Sequence, residues 1–141
     1  MDHVVYLDAK SKEYDKIQRG VKTHLIRGGS GFKVPYKKVF EGDILYFITM
    51  GEGAIKSKAV VKSVYNSPSL EVEESIALVE EYKDSLRLST TQVKKYAGKK
   101  HLVIIEITDF ERLESMVIDK SGYKATDEWL PVGDVHNILM I

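Results

Sequence analysis

The densest run of side chains able to do chemistry is Gly20-Val21-Lys22-Thr23-His24-Leu25-Ile26-Arg27-Gly28-Gly29-Ser30-Gly31. Read as a strand over 21–27, it alternates Val21, Thr23, Leu25 and Arg27 on one face with Lys22, His24 and Ile26 on the other. Gly28, Gly29, Ser30 and Gly31 then break the strand into a loop whose backbone N–H groups could cradle an anion. Arg27, at the strand end, offers a bidentate fork to a phosphate or a base edge. The loop that follows, Phe32–Phe40, adds Lys33, Lys37 and Lys38 as phosphate contacts and Phe32 or Tyr36 as rings on which a base could stack. The same glycines also suffice as plain chain reversals, and the lysines as a solvated face.

Other chemistries find little footing. The absence of cysteine removes disulfides, thiolate metal sites and thiol nucleophiles. His3, His24, His101 and His136 share no helical spacing, so neither a metal site nor a cofactor is expected. The glycine loop lacks a following helical run, which excludes a Walker or dinucleotide reading, and no nucleophile elbow occurs. At 141 residues, 43% hydrophobic and 30% charged, the chain is long enough for one core. No apolar run reaches a membrane span and no secretory signal is legible, so a soluble, cytoplasmic protein is expected.

A net charge of zero conceals a sorted distribution. Residues 1–66 carry 12 Lys/Arg against 7 Asp/Glu, residues 67–88 carry 2 against 6, and residues 89–141 carry 7 against 8. The basic excess therefore falls on the part that contains the Lys22–Arg27 run, where it can attract an anionic ligand even in a neutral molecule.

The positioning elements read as a strand over 4–7, a helix over 9–19 ended by Gly20, and the strand over 21–27. Strands over 44–50 and 54–65 flank Gly51-Glu52-Gly53, a hairpin signal. Asn66-Ser67-Pro68-Ser69 could cap a helix on which Val72, Ile76, Val79, Tyr82 and Leu86 form the apolar stripe, leaving Glu73, Glu74, Glu80 and Glu81 in water. A short helix over 89–96 precedes a strand over 101–108, a partner over 112–118, and a last strand over 138–141. Tyr123 and Trp129 lie in the tail, where an aromatic most often plugs a core. About six strands with three short helices imply an α+β fold, mainly antiparallel and curled into a pseudo-barrel.

Two blocks carry a family resemblance. The first, Ile17 to Arg27, matches a pattern I-x-x-G-x-K-T-x-x-x-R through Ile17, Gly20, Lys22, Thr23 and Arg27. The second is Gly42-Asp43-Ile44-Leu45, followed by the returning strand Lys58-Ala59-Val60-Val61-Lys62-Ser63-Val64. Together they resemble the ASCH branch of the PUA-like superfamily over roughly residues 4–108. The whole chain reads as one such domain over 1–141, with a helical insert near 69–97 and an extension from about 110 similar to an archaeal PUA-like family. The resemblance implies a cleft beside the Lys22–Gly31 segment that binds RNA, a nucleotide-like anion or a modified nucleoside. It also implies an alternative: some members are amidohydrolases acting on acetylated cytidine, with a lysine, a threonine three residues on, and a glutamate. Lys22 matches the lysine and would serve as general base. The threonine position is Leu25, with Thr23 the nearest substitute, and Glu73 or Glu74 are regional candidates for the glutamate. The acidic helix could instead dock a protein partner.

Overall fold

The computed structural model of the chain describes residues 1–124 and 127–140. Its elements run β1 (Asp2–Leu7), α1 (Glu13–Gln18), β2 (His24–Gly29), β3 (Ile44–Thr49), β4 (Ala54–Asn66), α2 (Val72–Glu81), α3 (Lys83–Leu86), α4 (Thr90–Tyr96), β5 (His101–Val117) and β6 (Trp129–Gly133), then a 3₁₀ turn at Val135–Ile138. The strands form a single six-stranded sheet in the order β2-β5-β4-β3-β1-β6. Only the β1/β3 pairing is parallel; the remaining pairings are antiparallel.

β5 explains how the sheet curls. The sequence suggests a strand over 101–108 and a partner over 112–118, but residues 101–117 form one strand paired with β4 from Asn66↔Val103 to Ala54↔Val117. Asp109 takes a φ of 52° within it, and the register shifts three times along the pair. Bulges of this kind absorb an extra residue without ending the strand and sharpen its twist. The long coiled pair brings the two sheet edges, β2 and β6, round towards each other.

β2 has both faces buried. Leu25 enters the inner core with Val5, Leu7, Phe47, Val61, Ile105 and Trp129. Ile26 points the other way, into a second cluster with Val79, Leu86, Tyr96, Leu102 and Ile104, where the helices cover the sheet. A third cluster joins Val4, Ile48, Ile55, Leu130 and Val135 on the opposite side of β1. An alternation that is apolar on both faces is what a strand between two layers requires.

Several boundaries differ from the sequence reading, each for a local reason. β2 begins at His24, not at Val21, because the amides of Val21 and Lys22 both donate to the Lys16 carbonyl and fold 20–23 back against α1. Gly28 and Gly29 belong to β2, opposite Leu102 and His101, rather than to the loop. A Cβ at Gly28 would lie 2.3 Å from the His101 carbonyl oxygen, so glycine permits a close strand approach there. α1 starts at Glu13 rather than Ala9.

The acidic helix is divided into α2 and α3. It is capped by Glu71 in a reciprocal box with Glu74, not by the Asn66–Ser69 segment. Its buried face holds Ser75 and Val79, while Val72 and Ile76 are 55% and 50% exposed. Ser75 turns inward because its Oγ accepts the Gly98 amide at 3.0 Å. At the C-terminal end, the expected strand over 138–141 is replaced by the 3₁₀ turn and an isolated bridge between Ile118 and Leu139. Ile141 lies outside the described residues. The paired strand of this region is β6, which carries Trp129 into the core. Among the described residues no helix is long and apolar enough to cross a membrane.

Candidate functional site

The seam where β2 meets the β1/β6 edge collects the charged groups that the fold buries. Arg27 follows Leu25 on the inward face of β2. Its guanidinium donates to the carbonyls of Ile26 at 2.7 Å and Tyr6 at 3.0 Å, and it sits 5.7 Å from the Trp129 ring centre on β6. Its Nε is buried and has no hydrogen-bond partner among the described residues. Burial opposes the guanidinium's charge, but the Tyr96 hydroxyl, Glu13 and Glu128 outweigh that and raise its pKa above the ordinary value.

Beneath Arg27 lies a carboxylate that the sequence reading did not single out. Glu13, on the first turn of α1, is only 3% exposed. Its Oε1 accepts the Asp8 amide at 3.2 Å and lies 3.9 Å from Arg27; its Oε2 accepts Gln92 Nε2 at 3.3 Å and lies 3.6 Å from Lys22 Nζ. Gln92 is held for this task by capping α4: its side-chain oxygen accepts the Ser89 amide, and its own amide donates to Ser89 Oγ. The missed signal was position. Glu13 precedes Ile17 by one helical turn and shares its buried face, where an isolated carboxylate needs partners.

Lys22 is 2% exposed and donates to the Leu86 carbonyl. Burial is the main cause that lowers its pKa, with Arg27 and Lys16 adding to it; Glu13 opposes them, and the balance is about 8. Strand alternation would have separated Lys22 from Arg27, whereas the folded-back 20–23 segment brings both to the two oxygens of Glu13. The expected glutamates, Glu73 and Glu74, lie exposed on α2.

Two adjoining hollows open at the seam, of about 290 and 490 Å³. Both are lined by Arg27, Lys95, Tyr96 and Glu128. Trp129, Gly28 and Lys33 complete the smaller one, and Glu13, Tyr6 and Gln92 contribute to the larger. The larger hollow is lined by three basic and three acidic side chains, which suits a ligand with both donors and acceptors better than a bare anion. Lys95 and Glu128 face each other across it at 3.4 Å.

Other sequence candidates fall elsewhere. Thr23 is exposed, with its Oγ1 2.9 Å from His24 Nδ1, and lines neither hollow. Leu25 is fully buried in the core. Ser30 and Gly31 are exposed beyond β2, and Gly29 is half-buried within it. Tyr36 is buried, its hydroxyl donating to the Ser67 carbonyl, so its ring is core rather than a free stacking face. Lys37 and Lys38 are exposed on the same loop, away from both hollows, and the Lys37 amide donates to Asn66 Oδ1 at 2.8 Å.

Trp129 is fixed by His3. The indole Nε1 donates to His3 Nδ1 at 3.0 Å, and His3 Nε2 lies 2.8 Å from Asp43 Oδ2. An indole N–H only donates, so His3 must be neutral with its proton on Nε2, which donates to Asp43. Burial lowers the His3 pKa below its ordinary 6.5 despite the opposing pull of Asp43. The unfolded chain therefore binds the extra proton first as pH falls, and stability is lost progressively below 6.5. Acidification through this range is expected to shift Trp129 emission to the red as the His3 bond breaks. A His3→Asn variant should lack the step; the same step in that variant would refute the assignment.

This six-stranded, mostly antiparallel sheet curled into a half-barrel, with helices over one face and a polar seam between its edges, has the fold of solved ASCH protein structures. Solved structures of an ASCH protein from Zymomonas mobilis show the same fold. A mutant form matches with a TM-score of 0.70 at 13% identity, covering 96% of this chain and 91% of that one. The crystal structure of the ASCH protein itself matches with a TM-score of 0.63 at 14% identity, covering 91% and 85%. No family model and no curated protein matches the sequence.

Proposed function

We propose that the protein binds RNA or a modified nucleoside, with a base seated in the seam between β2 and β6. The observation that carries this reading is Arg27, whose side chain lines both hollows and lies 5.7 Å from the Trp129 ring centre. Tyr6, Tyr96 and Trp129 supply apolar surface for a flat ring, and the balanced charge of the larger hollow favours a neutral polar group. Phosphates would lie outside, towards the exposed Lys33. Binding of single-stranded RNA should then weaken steeply with salt. Lys33→Ala should weaken it across all sequences and reduce the slope of log K against log salt by about 1. Fluorescence anisotropy over a salt series measures both, and an unchanged affinity and slope in Lys33→Ala would count against the reading.

A hydrolytic use of the same seam has one specific observation behind it: the carboxylate of Glu13 lines the larger hollow, backed by a lysine of lowered pKa. In that reading Glu13 activates a water towards an amide carbonyl, and Lys22 acts through Glu13 rather than touching substrate. Release of acetate from acetylated nucleosides tests it. Turnover no faster than that of Glu13→Gln would exclude it.

A further inference from the structure

Phe32 is 76% exposed, yet it is not loose. Its ring lies 4.6 Å from His101 and 5.4 Å from Tyr36, both buried, and those two rings pack edge to face at 5.4 Å. Tyr36 is anchored through its hydroxyl to the Ser67 carbonyl, and His101 is the first residue of β5, opposite Gly29. Phe32 thus rests on a fixed aromatic base with its other face in water. A ring held this way offers stacking area at little ordering cost, and exposing it serves no packing purpose.

The charged chain neighbours of the three rings are all lysines. Lys33 follows Phe32, Lys37 and Lys38 follow Tyr36, and Lys99 and Lys100 precede His101; all five are exposed. Among the described residues none of the five is ion-paired, whereas Lys22, Lys58, Lys62 and Lys95 each face a carboxylate. The platform is also continuous with the seam. Lys33 and Val34, next in sequence to Phe32, line the smaller hollow together with Gly28.

We propose that the Phe32–Tyr36–His101 platform stacks a second nucleobase next to the one in the seam, so that the preferred ligand is a single-stranded oligonucleotide rather than a free nucleoside. This rests on the reading that the seam holds a base. The flanking lysines neutralise the phosphates between and beyond the two bases, and an unpaired strand is required because a duplex hides the base faces.

The test compares RNA hexamers of randomised sequence with the four nucleoside monophosphates, using the wild type, Phe32→Ala and Phe32→Trp. Phe32 is exposed, so neither substitution disturbs the core. Phe32→Ala should weaken hexamer binding by about 5- to 150-fold, the range seen for loss of one stacked base, and leave monophosphate binding unchanged. Phe32→Trp should retain hexamer binding. Hexamer affinity that survives Phe32→Ala would overturn the platform while leaving the seam intact. Failure of the wild type to bind either ligand would overturn the seam reading and the platform with it.

Discussion

Replacing Glu13 with alanine is expected to destabilise the fold by about 3–5 kcal/mol, the usual cost of leaving a buried charge without its partner. The expectation follows from the numbers at the site. Lys22 is 2% exposed, and Glu13 is its only carboxylate partner among the described residues. Gln92 and the Asp8 amide would also lose their acceptor. Replacing both Glu13 and Lys22 with apolar residues of similar size should recover much of the loss, because the stranded charge disappears with its partner.

The pH dependence separates this explanation from simple loss of packing. Lys22 has a folded pKa of about 8, below the ordinary 10.5, so the unfolded chain binds more protons between those values. Stability of the wild type should therefore gain from this group as pH rises from about 8 towards 10.5. Without Glu13 the folded pKa falls further, so Glu13→Ala should recover over a wider window that begins below pH 8. Lys22→Met should remove the gain. Chemical denaturation across this range measures all three, and a Glu13→Ala loss under about 1 kcal/mol would mean that the carboxylate is not Lys22's essential partner.

The second large effect is on binding. Arg27→Met keeps a long apolar stem in the seam but removes the guanidinium that lines both hollows. Removing one partner of a buried, hydrogen-bonded charge costs about 2–5 kcal/mol in complexes, so nucleoside or RNA affinity should drop by at least about 30-fold. Arg27→Lys should not rescue it, because an ammonium cannot reproduce the fork that reaches the Ile26 and Tyr6 carbonyls together. Folding is expected to persist in Arg27→Met, since Lys22 still balances Glu13. Isothermal titration beside a thermal melt distinguishes lost binding from lost structure. Near-native affinity in a folded Arg27→Met protein would remove Arg27 from the ligand site.

The sequence carried the fold class. The Ile17–Arg27 block and the Gly42-Asp43 turn pointed to the ASCH type, and the strand pair around Gly51–Gly53 formed as its alternation required. Arg27, one of the residues singled out in the sequence, lines both hollows. Lys22 was found, but its partner was not, because the segment 20–23 folds back on the Lys16 carbonyl instead of alternating as a strand. No local pattern reveals that hydrogen bond. The sequence divided residues 101–118 into two strands, because no local pattern shows that Asp109 takes its positive φ inside a continuous β5. Trp129 was read as a core plug, which it is, but its strand partner β1 lies more than a hundred residues earlier in the chain. The opposition of β6 to β2, and hence the seam itself, is a product of long-range curling.

Trp129 is the only tryptophan in the chain, is 5% exposed, and lines the smaller hollow, so its emission reports directly on the seam. Titrating the protein with nucleosides and with short single-stranded RNA should produce a saturable change in Trp129 fluorescence. The change should disappear in Arg27→Met. Ligand binding that leaves Trp129 emission unaltered, or no binding of either class at low salt, would contradict a base seated between β2 and β6.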